Sequence, residues 1–268
     1  ALIACGIIPM EGEADLEKIL DEMGGGFYMS TRVKGVPKGS GLGTSSILSG
    51  ACVRALGKFL GTNWSDSDVY ELVLNLEQIM STGGGWQDQV GGLTGGIKYI
   101  TSRPGMKQKL KVEYLDLDEA TKTELQERFA LIYTGQRRLA RNLLRDVVGN
   151  YIGGKEESKE ALEEMKHLAV MMRYELEQGD VNAFAKLLNE HWEVSKKLDA
   201  GSTNTCIDQI FASCEDLIDG KFISGAGGGG FLQVILKKGV SKEMLRARLL
   251  DVYQDSGVDV WDSEFVWE

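Results

Sequence analysis

Residues 37–46 have the sequence Pro-Lys-Gly-Ser-Gly-Leu-Gly-Thr-Ser-Ser, and an apolar, helix-forming segment follows them directly. Glycine lets the backbone turn tightly and approach a ligand closely, because it has no Cβ atom. The start of a helix adds unpaired N–H groups and the positive end of the helix dipole. The segment therefore predicts an anion-binding site, most often one for phosphate. An ordinary glycine turn with a hydroxyl N-cap is the alternative.

The composition narrows the range of partners. The chain has 268 residues and a formal net charge of −10, which argues against binding to nucleic acid or to an anionic membrane. Its 4 cysteines lack the spacing of a zinc site or a disulfide framework, which indicates a reducing, cytoplasmic compartment. The sequence also has no apolar run long enough for a membrane span. We therefore expect no nucleic-acid partner and no membrane partner.

Hydrophobic periodicity predicts the elements of the first half of the chain. Helices are predicted at 15–23, 44–60 and 65–80, and strands at 27–33, 97–101 and 110–117. Residues 81–92 contain five glycines among polar side chains, so they are predicted to form a functional loop rather than a packed element.

The second half of the chain predicts an α+β arrangement. The pattern gives a strand at 129–134, helices at 140–151, 156–177, 181–197 and 206–217, strands at 221–223 and 231–236, a helix at 242–254 and a strand at 258–265. The order strand, helices, two strands, helix and strand is that of a split βαβ, ferredoxin-like unit with extra helices. A boundary near Arg128 therefore divides the chain into an N-terminal domain, 1–128, and a C-terminal domain, 129–268.

Several common sequence patterns of nucleotide-binding and catalytic sites do not fit this chain. The P-loop pattern fails because no lysine follows Gly43, and the dinucleotide-binding fingerprint fails because the glycines are spaced as G-x-G-x-G. A dinucleotide-dependent dehydrogenase is thus a weaker alternative. A serine–histidine–aspartate triad is disfavoured because His167 and His191 both fall inside predicted helices.

Three segments, in order, resemble the GHMP kinase family. Residues 37–46 resemble its second motif, and Ser-Gly-Ala-Gly-Gly-Gly-Gly at 224–230 resembles its glycine-rich third motif. Between them Glu77 precedes Asp88 by eleven residues, the spacing that the family uses between a magnesium-binding glutamate and a catalytic aspartate. Within the family, residues 39–48, 83–92 and 133–144 look like the kinase region of L-fucose kinases.

The resemblance implies a fold and a reaction. The fold is α+β, with an N-terminal part of the ribosomal S5 domain 2 type, incomplete here, followed by a ferredoxin-like C-terminal domain. The reaction is the ATP-dependent phosphorylation of the anomeric hydroxyl of L-fucose, with ATP, Mg²⁺ and a sugar as the small-molecule partners. Alternatives are another GHMP kinase, such as a heptose 7-phosphate 1-kinase, and a sugar sensor of the same fold without catalysis.

The resemblance also implies roles for individual residues. Asp88 is the catalytic base or orienting group, and Ser45 and Glu77 are the magnesium ligands; Thr44 and Ser46 compete with Ser45, and one of them is expected to cap the following helix. Sugar contacts are expected from Trp86, Gln87, Arg138 and Arg141. The expected ATP-binding residues are Pro37, Gly39, Ser40, Gly41, Leu42, Gly43, Thr44, Ser45, Ser46, Gly225, Ala226, Gly227 and Gly228.

Simpler interpretations stay open for some of these residues. Asp88 alone could form an Asx turn, and Glu77 or the arginines could lie on a solvated face. Residues 1–36 do not resemble the first motif of the family, which contributes sugar contacts. We therefore expect the upstream part of the polypeptide to complete the site, and the chain alone to have weak or no kinase activity.

Overall fold

The structure is a computed structural model that describes residues 1–80, 84–105, 108–136 and 141–267, with the backbone alone for residues 141–144. The chain forms two compact units. One comprises Ala1–Val36 with Gly43–Gly95, and the other comprises Pro37–Leu42 with Gly96–Glu268. The boundary between domains near Arg128 stays a prediction.

The regular elements described in the first unit are all helices. Its helices are α1 (Leu16–Glu22), α2 (Thr44–Leu60), α3 (Asp66–Ile79) and α4 (Gln87–Gly92). A capping box between Ser65 and Asp68 starts α3, because each residue's side chain accepts a hydrogen bond from the other's backbone N–H. The core of this unit is small and consists mainly of buried valines on α2 and α3: Val53, Val69 and Val73, with Trp64, Leu72, Leu93 and Cys5 packed against them.

Two predictions for the first unit were wrong. Helix α4 lies inside the glycine-rich segment 81–92, which was predicted to be a loop. It is packed through its buried side chains Gln89 and Val90. The predicted strand at 27–33 is absent, and these residues are exposed and belong to no helix or strand. A strand needs a hydrogen-bonded neighbour, and none of the described strands pairs with this segment.

The second unit contains two sheets and several helices. In chain order the described elements are β1 (Lys98–Arg103), β2 (Lys109–Tyr114), α5 (Glu119–Arg128), β3 (Phe129–Thr134), α6 (Arg141–Ile152), α7 (Glu156–Glu177), α8 (Val181–Leu198), α9 (Thr205–Ser213), β4 (Ile218–Ile223), β5 (Phe231–Leu236), α10 (Lys242–Tyr253) and β6 (Val258–Trp261). A short 3-10 turn, Ala200–Ser202, joins α8 to α9.

Four of these strands form one antiparallel sheet in the order β4-β5-β3-β6. Counted along the chain, that is second, third, first and fourth, the strand order of a ferredoxin-like fold. The ferredoxin-like prediction for the C-terminal part is therefore confirmed. β5 is a central strand whose sequence, Phe-Leu-Gln-Val-Ile-Leu, is almost entirely buried, as expected for a strand covered on both faces.

The main core lies between this sheet and the helices. Trp192 of α8 is 1% exposed and packs edge-on against Phe211 of α9 and Phe222 of β4.

Among the described residues, each helix is too short or too polar to cross a membrane. All four cysteines carry free thiols.

Helix α5 was not predicted from the sequence. Its buried positions are Thr121, Leu125 and Arg128, which have helical spacing but include only one apolar side chain. Arg128 is buried because its guanidinium donates to Asp219 Oδ2 at 2.8 Å and to the Leu236 carbonyl at 2.7 Å. An ion-paired arginine thus replaces the apolar residue that a sequence pattern would require.

Candidate functional site

The second half of the segment 37–46 begins helix α2. Gly43 is its N-cap residue, with φ of 64°, and no side chain of the described residues caps this end. The expectation that Thr44 or Ser46 caps the helix was therefore wrong. A left-handed backbone at the N-cap position suits glycine better than a residue that carries a Cβ atom. The side chains that the structure describes therefore leave the N–H groups of the first turn open to a ligand, as an anion site requires.

The three hydroxyl residues after Gly43 have different surroundings. Ser46 is buried, and its Oγ donates to Glu77 Oε1 of α3 at 3.0 Å. Glu77 itself is only 3% exposed. Ser45 is exposed and Thr44 is half-buried. The structure thus brings Glu77 to the first turn of α2, with Ser46 rather than Ser45 as its hydroxyl partner.

Asp88 lies directly against the N-terminus of α2. A Cβ atom built on Gly43 would be 2.8 Å from the Cβ of Asp88, so this position has space only for glycine. Two other close approaches hold α4 against α2. A Cβ on Gly92 would be 2.5 Å from Ile47 Cδ1, and one on Gly50 would overlap Leu93. Glycine therefore brings the carboxylate of Asp88 to the start of the helix.

The two carboxylates of this unit influence each other. Partial desolvation by the surrounding protein, followed by the negative charge of Glu77, raises the pKa of Asp88 above the usual range. The side chain of Asp88 is nevertheless exposed to solvent, so its carboxylate is accessible to a substrate. A bound cation would relieve the repulsion between the two groups.

The donors at this position fit a magnesium ion. They are a buried carboxylate, a second carboxylate and hydroxyl groups, which are the hard oxygen ligands that Mg²⁺ prefers. The described residues contain no cluster of three or more His, Cys, Asp or Glu side chains suited to a metal. Magnesium usually takes one or two protein carboxylates and completes its shell with water and phosphate, so a pair is sufficient.

The first half of the segment packs against the turn 224–231 between β4 and β5. Phe231 N donates to the carbonyl of Ser40 at 3.1 Å, and Ser40 is 1% exposed. Gly41 has φ of 77°, and a Cβ atom on it would lie 2.6 Å from the Ser224 carbonyl oxygen. A Cβ on Gly230 would overlap the Ser40 carbonyl. The contact is therefore made by backbone against backbone, as only glycine permits.

A second set of residues holds the other side of this turn. The amide of Gly228 donates to the carbonyl of Ser202 at 2.7 Å, and a Cβ on Gly227 would overlap the same carbonyl. Asn204 Nδ2 donates to the Gly228 carbonyl at 3.1 Å. Gly227, Gly228 and Gly230 of this turn therefore contact residues from other parts of the unit.

The predicted sugar-contacting residues are only partly described. Trp86 is half-buried at the N-cap of α4, and Gln87 is exposed in its first turn. Arg138 lies outside the described residues. Arg141 begins α6, but its side chain also lies outside the described part of the chain.

Sequence reasoning missed three residues around the site. Gln89 is fully buried, and neither atom of its side-chain amide has a hydrogen-bond partner among the described residues. Ser202 and Asn204 support the glycine turn, as described above. None belongs to a recognisable pattern, because single polar residues in turns and short helices are common; only the tertiary contacts identify them.

Models of one protein family match both parts of the chain. The "GHMP kinases N terminal domain" matches residues 14–96, and "GHMP kinases C terminal" matches residues 172–254. The chain belongs to the GHMP kinase family. The N-terminal match includes Gly43, Glu77 and Asp88, and the C-terminal match includes the turn 224–231.

Curated relatives show which members of the family this chain is similar to. The chain is 38% identical over 214 residues to a bifunctional fucokinase/GDP-fucose pyrophosphorylase of Arabidopsis thaliana, and 35% identical over 224 residues to an L-fucokinase/L-fucose-1-P guanylyltransferase of Bacteroides fragilis. These alignments cover 80% and 84% of this chain but only 20% and 24% of those proteins. A D-glycero-α-D-manno-heptose 7-phosphate kinase of Campylobacter jejuni is 28% identical over 200 residues, 74% of this chain and 58% of that protein.

Solved structures support the fold. A Streptococcus pneumoniae phosphomevalonate kinase superposes with a TM-score of 0.69 at 16% identity, over 85% of this chain and 70% of that one. At this identity the similarity concerns the fold alone. The α+β GHMP kinase fold predicted from the sequence is confirmed.

Proposed function

We propose that this chain carries the kinase region of an L-fucose kinase, which transfers the γ-phosphoryl group of ATP to the anomeric hydroxyl of L-fucose. The observation that carries the proposal is the position of Asp88 over Gly43, at the start of a helix whose first turn meets Glu77. The similarity to two fucokinases supports the choice of sugar.

In this proposal the chain aligns the reactants and compensates charge, which is most of what phosphoryl transfer requires. The N–H groups at the start of α2 bind phosphate oxygens, with Gly39, Gly41 and Gly43 allowing close approach. The turn at 225–228 supports the first half of this loop. When bound, Mg²⁺ would neutralise charge on the phosphates; Glu77 would hold it with a hydroxyl of Ser45 or Ser46.

Asp88 is proposed to accept the proton of the attacking sugar hydroxyl. The hydroxyl oxygen bonds to the γ-phosphorus, the bond from that phosphorus to the β–γ bridging oxygen breaks, and ADP leaves. The raised pKa of Asp88 suits this role, because a carboxylate with a higher proton affinity is a better base near neutral pH. Trp86, Gln87, Arg138 and Arg141 are the proposed sugar contacts, and a cytoplasmic location is part of the proposal.

The test measures ADP release by the chain, and by any longer natural form of it, with L-fucose, D-galactose and D-glycero-D-manno-heptose 7-phosphate as acceptors. We expect turnover with L-fucose, with the product identified as the 1-phosphate by ³¹P NMR, and weaker activity for the chain alone. Asp88→Asn should lower kcat by roughly 100-fold or more. Asp66→Asn, which changes an exposed carboxylate of the same unit, is the control and should retain activity.

Each other outcome favours a different function. Faster turnover of the heptose phosphate would favour the alternative that the Campylobacter jejuni relative supports. Sugar binding without ADP release in the longer form, unchanged in Asp88→Asn, would favour a sensor and exclude the kinase proposal.

A further inference from the structure

Residues 263–267, which follow β6, have the sequence Ser-Glu-Phe-Val-Trp and lie on the surface of the second unit without belonging to a helix or strand. Their burial alternates along the chain. The half-buried residues are Ser263, Phe265 and Trp267, and the exposed ones are Glu264 and Val266. Alternation with a period of two is typical of an extended segment with one face against the protein. These residues are therefore arranged as a bound peptide would be.

One side chain of helix α5 holds the backbone of this segment. Gln126 Nε2 donates to the carbonyl of Ser263 at 2.9 Å, and Gln126 Oε1 accepts from the amide of Phe265 at 2.8 Å. A side-chain amide offers a donor and an acceptor, as a peptide group does. Gln126 therefore bonds the segment in the way that a neighbouring strand would, through groups that every residue except proline carries.

Aromatic contacts hold the two half-buried rings of the segment. The ring of Phe265 lies 5.1 Å from that of Phe129 and 5.1 Å from that of Trp267, measured between centroids. Lys122 of α5 lies over the indole of Trp267, with Nζ 5.9 Å from the ring centroid, which is within the range of a cation–π contact. All three rings pack at the border of a core cluster that includes Leu125. The surface therefore selects aromatic side chains two positions apart.

The far end of the segment is bound by a backbone group that precedes β1. Gly96 N donates to the carbonyl of Val266 at 2.6 Å. The next residue, Ile97, accepts from Leu115 N at 2.9 Å and so extends the hairpin of β1 and β2. Main-chain hydrogen bonds combined with contacts to alternate side chains are a general mode of peptide recognition. The Gly96 amide therefore reports whether the segment is in place.

We propose that α5 and Gly96 form a peptide-binding groove, which residues 263–267 occupy as a detachable strap. The ligand class is an extended peptide with two aromatic side chains at alternate positions, and such a peptide can take the place of the strap. Among the described residues, the strap is held by a side-chain amide, one backbone group and half-buried rings rather than by a strand ladder. Segments with few buried apolar contacts open locally while the rest of the fold stays intact. The groove does not depend on the kinase proposal, because none of its residues is assigned to the nucleotide or the sugar.

Hydrogen exchange at the Gly96 amide of the ¹⁵N-labelled chain tests the proposal. The double variant Phe265→Ala/Trp267→Ala removes both aromatic anchors and should speed exchange at Gly96 by at least about tenfold. The Leu115 amide, which donates to Ile97 in the hairpin, should keep its protection, and this separates release of the strap from unfolding. The peptide Ser-Glu-Phe-Val-Trp, blocked at both ends and added to the double variant, should restore slow exchange at Gly96. The peptide Ser-Glu-Ala-Val-Ala should not.

A second variant tests the polar contact alone. Gln126→Leu keeps a side chain of similar size but can neither donate nor accept a hydrogen bond. It should speed exchange at Gly96 by about tenfold, because the strap loses both of its hydrogen bonds to α5. Gln108→Leu is the matched control, since the amide of Gln108 donates to Ser102 Oγ within the β1–β2 hairpin. The control should exchange at Gly96 as the original chain does.

Two results with the double variant would overturn the proposal: unchanged exchange at Gly96, or equal restoration by the two peptides. If the double variant does not fold, Gln126→Leu decides the question, because it leaves both rings of the strap in place. Exchange at Gly96 that is no faster in Gln126→Leu than in Gln108→Leu would exclude the groove.

Discussion

The first half of the loop at 37–46 is held by backbone atoms, whereas the second half is held by side chains. Residues 37–42 pack against the turn 224–231, at positions where a Cβ atom would collide with a carbonyl oxygen. Residues 43–46 are fixed by the Ser46–Glu77 hydrogen bond and by Asp88 over Gly43. A contact between backbone atoms does not respond to charge, whereas the carboxylates of Glu77 and Asp88 respond to protonation and to cations. The first half is therefore suited to a fixed support, and the second half to chemistry.

The largest effect is expected from a change at the backbone contact. Gly230→Ala combines a left-handed backbone, φ of 85°, with a Cβ atom that overlaps the Ser40 carbonyl. We expect the free energy of unfolding to fall by about 3 kcal/mol or more, since strain and overpacking each cost about 1–3 kcal/mol. Unfolding in urea, followed by circular dichroism, measures the loss.

Gly239→Ala is the matched control for this variant. Gly239 has nearly the same backbone, φ of 84°, but a Cβ atom on it would meet nothing within 4 Å. The control should lose only the conformational part, about 1 kcal/mol. Equal losses in the two variants would mean that the contact with Ser40 contributes nothing to stability.

A smaller effect is expected from the side-chain contact. Ser46→Ala removes the hydroxyl that donates to buried Glu77, and this should lower the free energy of unfolding by about 1–3 kcal/mol. Ser45→Ala changes the exposed neighbour and should stay within about 0.5 kcal/mol of the original chain. Thermal unfolding of both variants measures the difference. If Ser45→Ala were the more damaging change, Ser46 would not be the structural partner of Glu77.

Elements with a strong pattern could be predicted from the sequence, and elements stabilised by unusual residues could not. Helix α2 has the predicted bounds because glycines stand at both of its ends. Strand β5 has the predicted bounds because five of its six residues are apolar. Helix α5 was missed because its buried stripe includes Arg128. Helix α4 was missed because its segment is rich in glycine, which normally indicates a loop, whereas Gly92 serves here as a position of close packing against Ile47.

The candidate functional site could also be predicted only in part from the sequence. Family spacing identified Glu77 and Asp88, and the structure brings both to the start of α2. Local sequence could not determine which of three consecutive hydroxyls meets Glu77. Successive helical residues point about 100° apart, so the position of α3 decides the choice. The buried amide of Gln89 and the supporting role of Ser202 depend wholly on tertiary contacts.

The smallest effect is expected at Asp88, where charge rather than packing is changed. Its pKa is raised in the folded chain by desolvation and by Glu77, whereas in the unfolded chain it returns to the ordinary value of about 3.9. A raised pKa means that this group favours the folded state below the unfolded pKa, and that this contribution is lost as pH rises through the folded pKa. At neutral pH the ionised Asp88 therefore opposes folding. Asp88→Asn should melt slightly higher than the original chain at pH 7, with a small gain because the residue is exposed.

Acidification and magnesium provide the decisive comparisons for this variant. The difference in Tm should shrink as the pH falls towards the unfolded pKa and disappear at about pH 3, where Asp88 is mostly protonated in both states. If Glu77 holds Mg²⁺ as proposed, the positive charge of the ion should offset the effect of Glu77 on Asp88. Adding the ion should then stabilise the original chain more than Asp88→Asn and narrow the gap at pH 7. Asp66→Asn, which breaks an exposed ion pair with Arg54, should show no such gain. A gap that widens on acidification would show that Glu77 does not oppose the charge on Asp88, and the second half of the loop would then lack the electrostatic response that separates it from the first.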